Sequence, residues 1–127
     1  MIVGTGIDAT DIRRIEQAAG RYGQRFLRRV FTDREIAYCE RHKNRFERYA
    51  ARFAAKEAAM KALGTGWRRG IRWKDIEVVN LPGGKPTVQF SGEAARIAEK
   101  LKVTNAAVSL THTATQAFAQ VILETRD

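Results

Sequence analysis

Residues 44–64 read NRFERYAARFAAKEAAMKALG and form the longest helical pattern in the chain. Asn44 followed by Glu47 three residues later is typical of a helix start, and Gly64 is typical of a helix end. Between them, apolar side chains recur every three or four residues, which places them on one helix face. They are Phe46, Tyr49, Ala50, Phe53, Ala54 and Met60. The stretch therefore predicts one long helix with a buried stripe.

Glu57 lies inside this apolar stripe. Each helical residue advances by about 100°, which puts Glu57 about 20° from Ala50 and about 40° from Phe53. A carboxylate there is costly to bury unless it meets a cation or a metal ion, so the position predicts a functional role. Lys61 lies one turn later on the same face, and an ordinary Glu-Lys pair four residues apart is the alternative.

Shorter patterns predict the remaining elements, with strands indicated by apolar runs or alternation and helices by capping residues. Thr10 or Asp11 is the expected cap of the first helix, and Ser91 that of the last. Thr32 and Glu35 form the Ser/Thr-x-x-Glu pattern of a capping box. Together these patterns indicate an α+β class. The predicted elements are a strand over 2–7, helices over 12–22, from Thr32 and over 92–102, a hairpin of Ile76–Val79 and Thr87–Phe90, and a second hairpin of 106–111 and 117–123.

The composition favours a folded chain with an acidic partner. The length of 127 residues is usual for one domain, so we expect a single domain over residues 1–127. Hydrophobic residues make up 44% and charged residues 29%, which excludes a disordered chain. Lys and Arg number 23 against 14 Asp and Glu, a formal charge of +9. That excess predicts a partner among nucleic acids, anionic membrane surfaces, phosphorylated small molecules or acidic proteins.

Cysteine content and hydropathy suit the cytoplasm. Cys39 is the only cysteine, so neither an intrachain disulfide nor a multi-cysteine zinc site can form, and we expect a half-buried side chain. The first residues show no basic leader followed by a long apolar run. The apolar stretches are far shorter than the ~20 residues that cross a bilayer. We therefore expect a cytoplasmic protein with no membrane partner.

Asp8 and His112 are the other candidate functional side chains. Asp8 closes the first predicted strand, where a side chain either reaches a ligand at the rim of a sheet or caps a turn. With Glu57 it would suit a magnesium ion, which takes oxygen ligands and keeps several waters for phosphate contacts. His112 follows Val108 and Leu110 at the end of a predicted strand, where a histidine meets a phosphate, transfers a proton or serves only the structure.

Two glycine segments offer backbone donors. Gly64-Thr65-Gly66 and Gly83-Gly84-Lys85-Pro86 could cradle a pyrophosphate or flank a nucleotide; a helix cap and a hairpin turn are the alternatives. A third segment, residues 4–9, formally matches the dinucleotide fingerprint G-x-G-x-x-G/A. We reject it because only three residues precede it and its glycines fall within the predicted strand.

Four segments of the chain form one ordered set: Gly6-Ile7-Asp8, residues 52–66, Gly84-Lys85-Pro86 and Ser109-Leu110-Thr111-His112-Thr113. Their order and spacing resemble the signatures of holo-acyl-carrier-protein synthases, and the resemblance runs from Met1 to about Glu124. It implies the 4′-phosphopantetheinyl transferase fold in a homotrimer, with the active site at the subunit interface and coenzyme A bound in clefts between neighbours.

The resemblance also implies a reaction. Such an enzyme moves 4′-phosphopantetheine from coenzyme A to a serine of apo-acyl carrier protein and releases adenosine 3′,5′-bisphosphate, in fatty acid biosynthesis. Magnesium is the implied cofactor, held by Asp8 and Glu57 against the pyrophosphate. Glu57, or a metal-bound water that it orients, is our hypothesis for the base, with Lys61 and His112 as further catalytic residues. The implied coenzyme A contacts are Lys61, Gly64, Thr65, Gly66, Lys85, Pro86, His112 and Thr113.

The same resemblance implies that the basic first helix and the segment after it bind acyl carrier protein, a small acidic protein. Phe26 would serve as an apolar anchor among arginines, an arrangement that suits a steered, charged interface. A solvated basic face is the alternative. The arginines at the matching positions are Arg14, Arg21, Arg25 and Arg29.

Two other functions compete with this one. A basic nucleic-acid-binding module would use the arginines of residues 13–29 together with Arg68, Arg69 and Arg72. The sequence has no zinc-ligand set, RNP-like strand or clear helix-turn-helix signature, and Glu57 would be unexplained, so we expect no nucleic-acid partner. The enzymatic rival is a phosphopantetheinyl transferase for carrier domains of larger synthases. The short chain, which would need a partner subunit to complete its cleft, favours the trimeric type.

Overall fold

The computed structural model describes residues 1–66 and 70–126. Within this part of the chain, helices and antiparallel strands occupy separate stretches, which confirms the predicted α+β class. No helix there has both the length and the apolar content that crossing a bilayer requires. In chain order the elements are β1 (Ile2–Asp11), α1 (Ile12–Tyr22), α2 (Gln24–Val30), α3 (Asp33–Glu40), α4 (Arg45–Leu63), a 3₁₀ turn (Trp73–Asp75), β2 (Ile76–Asn80), β3 (Pro86–Phe90), α5 (Gly92–Lys100), β4 (Asn105–His112) and β5 (Gln116–Glu124).

The strands form two antiparallel sheets. One has the strand order β1-β5-β4, and the other is the β2-β3 hairpin. Helix α4 lies across one face of the larger sheet, where Val121 and Leu123 of β5 are fully buried. Along each strand, the residues that alternate with the buried ones point to the opposite face. One of them, Ile7 of β1, is 65% exposed. The core therefore lies on one side of this sheet, between the strands and α4.

Two glycines let α4 lie directly on β1. A Cβ atom added at Gly6 would overlap the carbonyl oxygen of Ala58, and one added at Gly4 would overlap the helix backbone one turn later. No side chain larger than hydrogen fits between the strand and the helix, so close approach requires glycine at both positions. This contact brings Asp8, two residues beyond Gly6, beside the helix face that carries Glu57.

Several predicted boundaries are confirmed. Helix α4 runs over Arg45–Leu63, and Gly64 closes it in the left-handed conformation at φ +80°. Thr32 and Glu35 make both bonds of the capping box at the start of α3. The glycines of residues 4–9 lie within β1, which agrees with our rejection of the dinucleotide fingerprint.

One local prediction is wrong, and another is confirmed in position but not in its hydrogen bond. Strand β1 does not end at Asp8 but continues to Asp11, because β5 supplies pairing partners along the whole stretch and Thr10 is buried again. Ser91 occupies the N-cap position of α5, but its side chain makes no cap bond, and its Oγ lies 3.5 Å from the carbonyl oxygen of Asp75. The charge of Asp8 therefore does not end β1, because the pairing with β5 continues beyond it.

Cys39 is fully buried rather than half-buried. Burial raises the pKa of its thiol to about 12, although the nearby Arg52 acts in the opposite direction. The thiol therefore stays protonated and unreactive inside the fold.

Replacing Gly6 by alanine is expected to destabilise the protein, because β1 must then move away from α4. We expect the free energy of unfolding to fall by about 3 kcal/mol, measured by urea denaturation. Gly20→Ala is the matched control: Gly20 lies in α1, nothing lies within 4 Å of the added methyl group, and alanine favours the helix by up to about 1 kcal/mol. Equal stabilities of Gly6→Ala and the parent chain would contradict the close approach.

Candidate active site

A cavity of about 290 Å³ lies beside α4, and we call it the carboxylate cleft. Asp8 of β1 and Glu57 of α4 supply its two acids, and Arg14 of α1 supplies a positive charge. Phe26 of α2 and Phe53 of α4 form part of its apolar wall. Separate elements therefore bring two predicted metal ligands and two predicted carrier-binding residues to one cavity.

Lys61 orients Asp8. Its Nζ lies 3.0 Å from Asp8 Oδ1 and donates a second hydrogen bond to the carbonyl oxygen of Ile7 at 2.9 Å. The other carboxylate oxygen, Oδ2, accepts a hydrogen bond from the Thr10 hydroxyl at 3.3 Å. Instead of the ordinary pair with Glu57 along the helix, Lys61 forms an ion pair between helix and strand.

Glu57 is half-buried and has no hydrogen bond or ion pair within residues 1–66 and 70–126. Burial raises the pKa of its carboxyl group, and the Asp8 carboxylate raises it further, whereas Lys61 and Arg14 lower it. An acid in this environment favours either a proton or a cation beside it.

The two acids fit a magnesium ion better than a structural metal. In the part of the chain that the structure describes, no three His, Cys, Asp or Glu side chains converge on one point. A closed zinc site needs four such ligands, whereas magnesium binds through one or two carboxylates and keeps waters and phosphate oxygens. Glu57, which has no partner among the described residues, and the adjacent Asp8 are carboxylates of the kind that such an ion could take.

Four amides of the two glycine segments serve local structure. The N–H groups of residues 64–66 all donate to carbonyl oxygens in the last turn of α4. The N–H group of Gly84 donates to the carbonyl oxygen of Leu81 at 2.8 Å, inside the turn between β2 and β3. The amides of residues 64–66 and of Gly84 are therefore not free to cradle a phosphate, and the Lys85 side chain is exposed.

A second cavity, of about 240 Å³, also borders α4, and we call it the arginine cleft. Pro86 at the start of β3 and His112 at the end of β4 line it. Arg48 and Arg52 of α4 line it as well. Neither arginine was predicted as a site residue, although their spacing of four residues on one helix face is a usable signal.

Tyr38 contacts both arginines. Arg48 Nη1 donates to the Tyr38 hydroxyl at 2.9 Å, and the Arg52 guanidinium lies 3.9 Å from the centroid of the same ring. Arg52 also donates to the side-chain oxygen of Asn80 at 3.4 Å, and its buried Nε has no partner among the described residues. Two guanidinium groups, one with an unused N–H, suit the binding of an anion.

His112 and Thr113 lie together at the end of β4. His112 Nε2 is 3.5 Å from Glu47 Oε2, and the histidine side chain is 46% exposed. The Thr113 hydroxyl accepts hydrogen bonds from the amides of Thr115 and Gln116 at 3.2 and 3.1 Å. His112 is therefore accessible to a ligand, whereas the Thr113 hydroxyl is used by the turn.

One chain keeps the two predicted acids and His112 in separate cavities. The carboxylate cleft and the arginine cleft share no lining residue. Glu57 and Arg48 are nine residues apart on α4, which sets them about 180° apart around the helix. The fold of a single chain therefore does not bring His112 to Glu57.

The predicted carrier-binding residues lie on α1 and α2. Arg14 and Phe26 border the carboxylate cleft, and Arg29 borders a third cavity. Arg21 and Arg25 are exposed. The basic side chains therefore continue outward from the edge of the carboxylate cleft.

The nucleic-acid alternative depended partly on the segment after α4. Arg68 and Arg69 lie outside the described residues. Arg72 Nη2 is 3.3 Å from Asp75 Oδ1, so this arginine is already paired with an acid.

Removing the charge of Asp8 is expected to lower the pKa of Glu57, because the repulsion between the acids disappears and Lys61 is released from its ion pair. Parent and Asp8→Asn proteins would be titrated without metal while NMR follows the side-chain carboxyl carbon of Glu57. Asp33→Asn removes an exposed acid at the start of α3 and, as the matched control, should leave this titration unchanged. An equal or higher Glu57 pKa in Asp8→Asn would contradict the arrangement.

Known protein families match the chain along its length. Residues 4–119 match the family model of the 4′-phosphopantetheinyl transferase superfamily. The chain is 61% identical over 124 residues to the holo-[acyl-carrier-protein] synthase of Solibacter usitatus, which covers 98% of this chain and 99% of that protein.

Solved structures share the fold. The crystal structure of holo-[acyl-carrier-protein] synthase from Neisseria meningitidis has a TM-score of 0.89 at 29% identity, covering 98% of this chain and 100% of that one. The Helicobacter pylori synthase in complex with coenzyme A has a TM-score of 0.83 at 30% identity, covering 94% of this chain and 99% of that one. The chain therefore belongs to the holo-[acyl-carrier-protein] synthases of the 4′-phosphopantetheinyl transferase superfamily.

Proposed function

We propose that this chain transfers 4′-phosphopantetheine from coenzyme A to a serine of apo-acyl carrier protein and releases adenosine 3′,5′-bisphosphate. The observation that carries the proposal is the carboxylate cleft, where Asp8 and Glu57 lie beside Lys61 and a basic, partly apolar surface. Its acids suit a metal-bound pyrophosphate, and Arg14 with the exposed arginines on α1 and α2 suits an acidic protein. Family membership and a relative's complex with coenzyme A support the same donor.

Magnesium is the proposed cofactor, with Asp8 and Glu57 as its protein ligands. When bound, the ion would neutralise charge on the pyrophosphate of coenzyme A. Lys61 keeps Asp8 oriented and adds a positive charge beside those phosphates. The support is the half-buried Glu57 carboxylate, which lacks a hydrogen-bond donor among the described residues.

The proposed reaction is a phosphoryl transfer. The serine oxygen bonds to the phosphorus that carries pantetheine, and the bond from that phosphorus to the bisphosphate leaving group breaks. Glu57 takes the serine proton. In the metal-free chain, burial and the Asp8 carboxylate raise the pKa of Glu57, the direction that favours proton acceptance. The rest of the acceleration comes from aligning the serine with the phosphorus.

The adenosine end of coenzyme A would occupy the arginine cleft of a neighbouring subunit. Arg48 and Arg52 supply positive charge there, and His112 is exposed at its edge. Pro86 lines the cleft, and Lys85 precedes it. Because one chain keeps the two clefts apart, a second chain is needed to complete a single coenzyme A site.

A homotrimer is the proposed assembly. Its support is the outer face of the β1-β5-β4 sheet, where Ile7 is 65% exposed. Phe118 and Ile122 of β5 point to the same face, because they alternate with the buried Ala119 and Val121. Packing this face against other subunits would remove apolar surface from water and would allow a site shared between chains.

Acyl carrier protein is the proposed acidic partner, and α1 with α2 is its proposed docking surface. Arg14 and Phe26 border the carboxylate cleft, so a carrier docked on them would present its serine near Glu57. Opposite charges on the two proteins would steer their association. The arginines proposed to contact the carrier, all of them exposed, are Arg14, Arg21, Arg25 and Arg29.

We further propose a cytoplasmic role in fatty acid biosynthesis, the process in which acyl carrier protein serves. The support for the compartment is Cys39, the only cysteine, which is buried as a protonated thiol. A chain with no capacity for an intrachain disulfide suits a reducing environment.

Incubating the purified chain with coenzyme A, magnesium and apo-acyl carrier protein should raise the carrier mass by one phosphopantetheine, detected by intact-protein mass spectrometry. A chelator should abolish the gain, and Glu57→Gln should lower turnover at saturating magnesium by about a hundredfold, because both a metal ligand and the base are lost. Glu99→Gln, an exposed acid on α5, is the matched control and should keep full activity. No mass gain with several apo-carriers would refute the proposed activity.

Mixing two impaired variants should restore activity if neighbouring subunits share each site. Trimers assembled from equal amounts of Glu57→Gln and His112→Ala should contain both intact groups in about one quarter of their sites, and the mass assay should detect the recovered turnover. Glu57→Gln mixed with Asp8→Asn is the control, since both changes lie in one cleft and no site regains both acids. If the mixture of Glu57→Gln and His112→Ala recovers no turnover, the site is not shared between neighbouring subunits.

A further inference from the structure

The side chain of Lys56 is fully buried and points away from both clefts. It lies next to Glu57 in sequence, but one residue on a helix turns the side chain by about 100°, and Lys56 lines neither cleft. Its Nζ lies 2.8 Å from Glu35 Oε1 and donates to the carbonyl oxygens of Trp73, at 3.2 Å, and of Ile76. Three acceptors match the three N–H bonds of a protonated ammonium group.

Glu35 completes the network from α3. Its side chain is fully buried, and its Oε1 also accepts a hydrogen bond from the Thr32 amide at 2.8 Å. Its Oε2 accepts a hydrogen bond from the Val78 amide at 2.7 Å. Both charged groups are therefore satisfied by groups from α3, α4, the 3₁₀ turn and β2.

Stability alone is a weak explanation for this pair. Removing two charges from water costs about as much as their attraction returns, and an apolar pair of similar volume often stabilises a core equally well. An ammonium group can do what an apolar side chain cannot: it binds the backbone at the first residue of the 3₁₀ turn, Trp73, and at the residue after the turn, Ile76. The network therefore fixes where the turn lies relative to α4.

The 3₁₀ turn also contacts the docking surface formed by α1 and α2. The Trp73 ring stacks on Phe53 with centroids 4.8 Å apart, and Phe53 lines the carboxylate cleft. The turn packs against α2, and Arg29 of α2 borders the same cavity as Trp73 and Lys74. The position of α2, which carries Phe26, thus depends on where the turn is held.

We propose that Lys56 is a positioning residue for carrier docking, holding the 3₁₀ turn so that α2 stays aligned with Glu57. The inference rests on the proposed function and adds a role for a lysine that touches neither substrate. Coenzyme A binding should depend on Lys56 much less. Strands β2 and β3 keep their pairing without it, along the whole hairpin from the Ile76–Phe90 pair to the Asn80–Pro86 pair.

The test compares Lys56→Met with the double variant Glu35→Gln/Lys56→Met. Lys56→Met should lower the melting temperature, because Glu35 is left buried without its partner, and should raise the KM for the carrier about tenfold with less than about a twofold change for coenzyme A. The double variant removes the unpaired charge, so its melting temperature should largely recover. Its carrier KM should stay high, because the carbonyl oxygens of Trp73 and Ile76 still lack the ammonium group.

Two further variants calibrate the measurement. Leu123→Ala creates a cavity in the buried part of β5, so it should lower the melting temperature while leaving both KM values unchanged. Arg21→Glu reverses an exposed charge on the docking surface and should raise the carrier KM without lowering the melting temperature.

The outcomes separate this inference from the proposed function. No transfer by the parent chain refutes the proposed function and the inference with it. Transfer by the parent chain with an unchanged carrier KM in the double variant overturns the inference alone, since the role of Lys56 would then be stability only. If Lys56→Met does not fold, the double variant decides by the same criterion.

Discussion

The backbone contact between β1 and α4 is the constraint on which the rest of the structure depends. Gly4 and Gly6 leave no side chain between the strand and the helix, so the two elements lie closer than any other residue would allow. That distance brings Asp8 of the strand within reach of Lys61 on the helix and into one cavity with Glu57. A wider spacing would separate the two acids and remove the proposed metal site.

Helix α4 is surrounded on several sides, so each polar side chain on it needs a defined partner. Lys56 meets Glu35 and two carbonyl oxygens, and Lys61 meets Asp8. Arg52 meets Tyr38 and Asn80. Glu57 differs, because no hydrogen bond or ion pair engages it in the described part of the chain. A half-buried acid without a partner is costly, and this is the physical reason to propose a cation beside it.

The same helix carries the two halves of the proposed site on opposite sides. Arg48 and Glu57 cannot serve one ligand in one chain, because they lie about 180° apart around α4. A site completed by a neighbouring subunit would make assembly a condition for activity. The exposed outer face of the β1-β5-β4 sheet, with Ile7 at its edge strand, supplies apolar surface for such an assembly.

The sequence by itself determined the long helix, its glycine cap, the capping box at Thr32 and the unusual position of Glu57, because these depend on residues within a few positions of each other. Only the tertiary structure decided that Asp8 lies within a strand and that Lys61 pairs with it across 53 positions of the chain. It also decided that Arg48 and Arg52 share one cleft with His112. Local periodicity specifies which face of an element is apolar, but the partners of a polar side chain depend on which distant surfaces pack together.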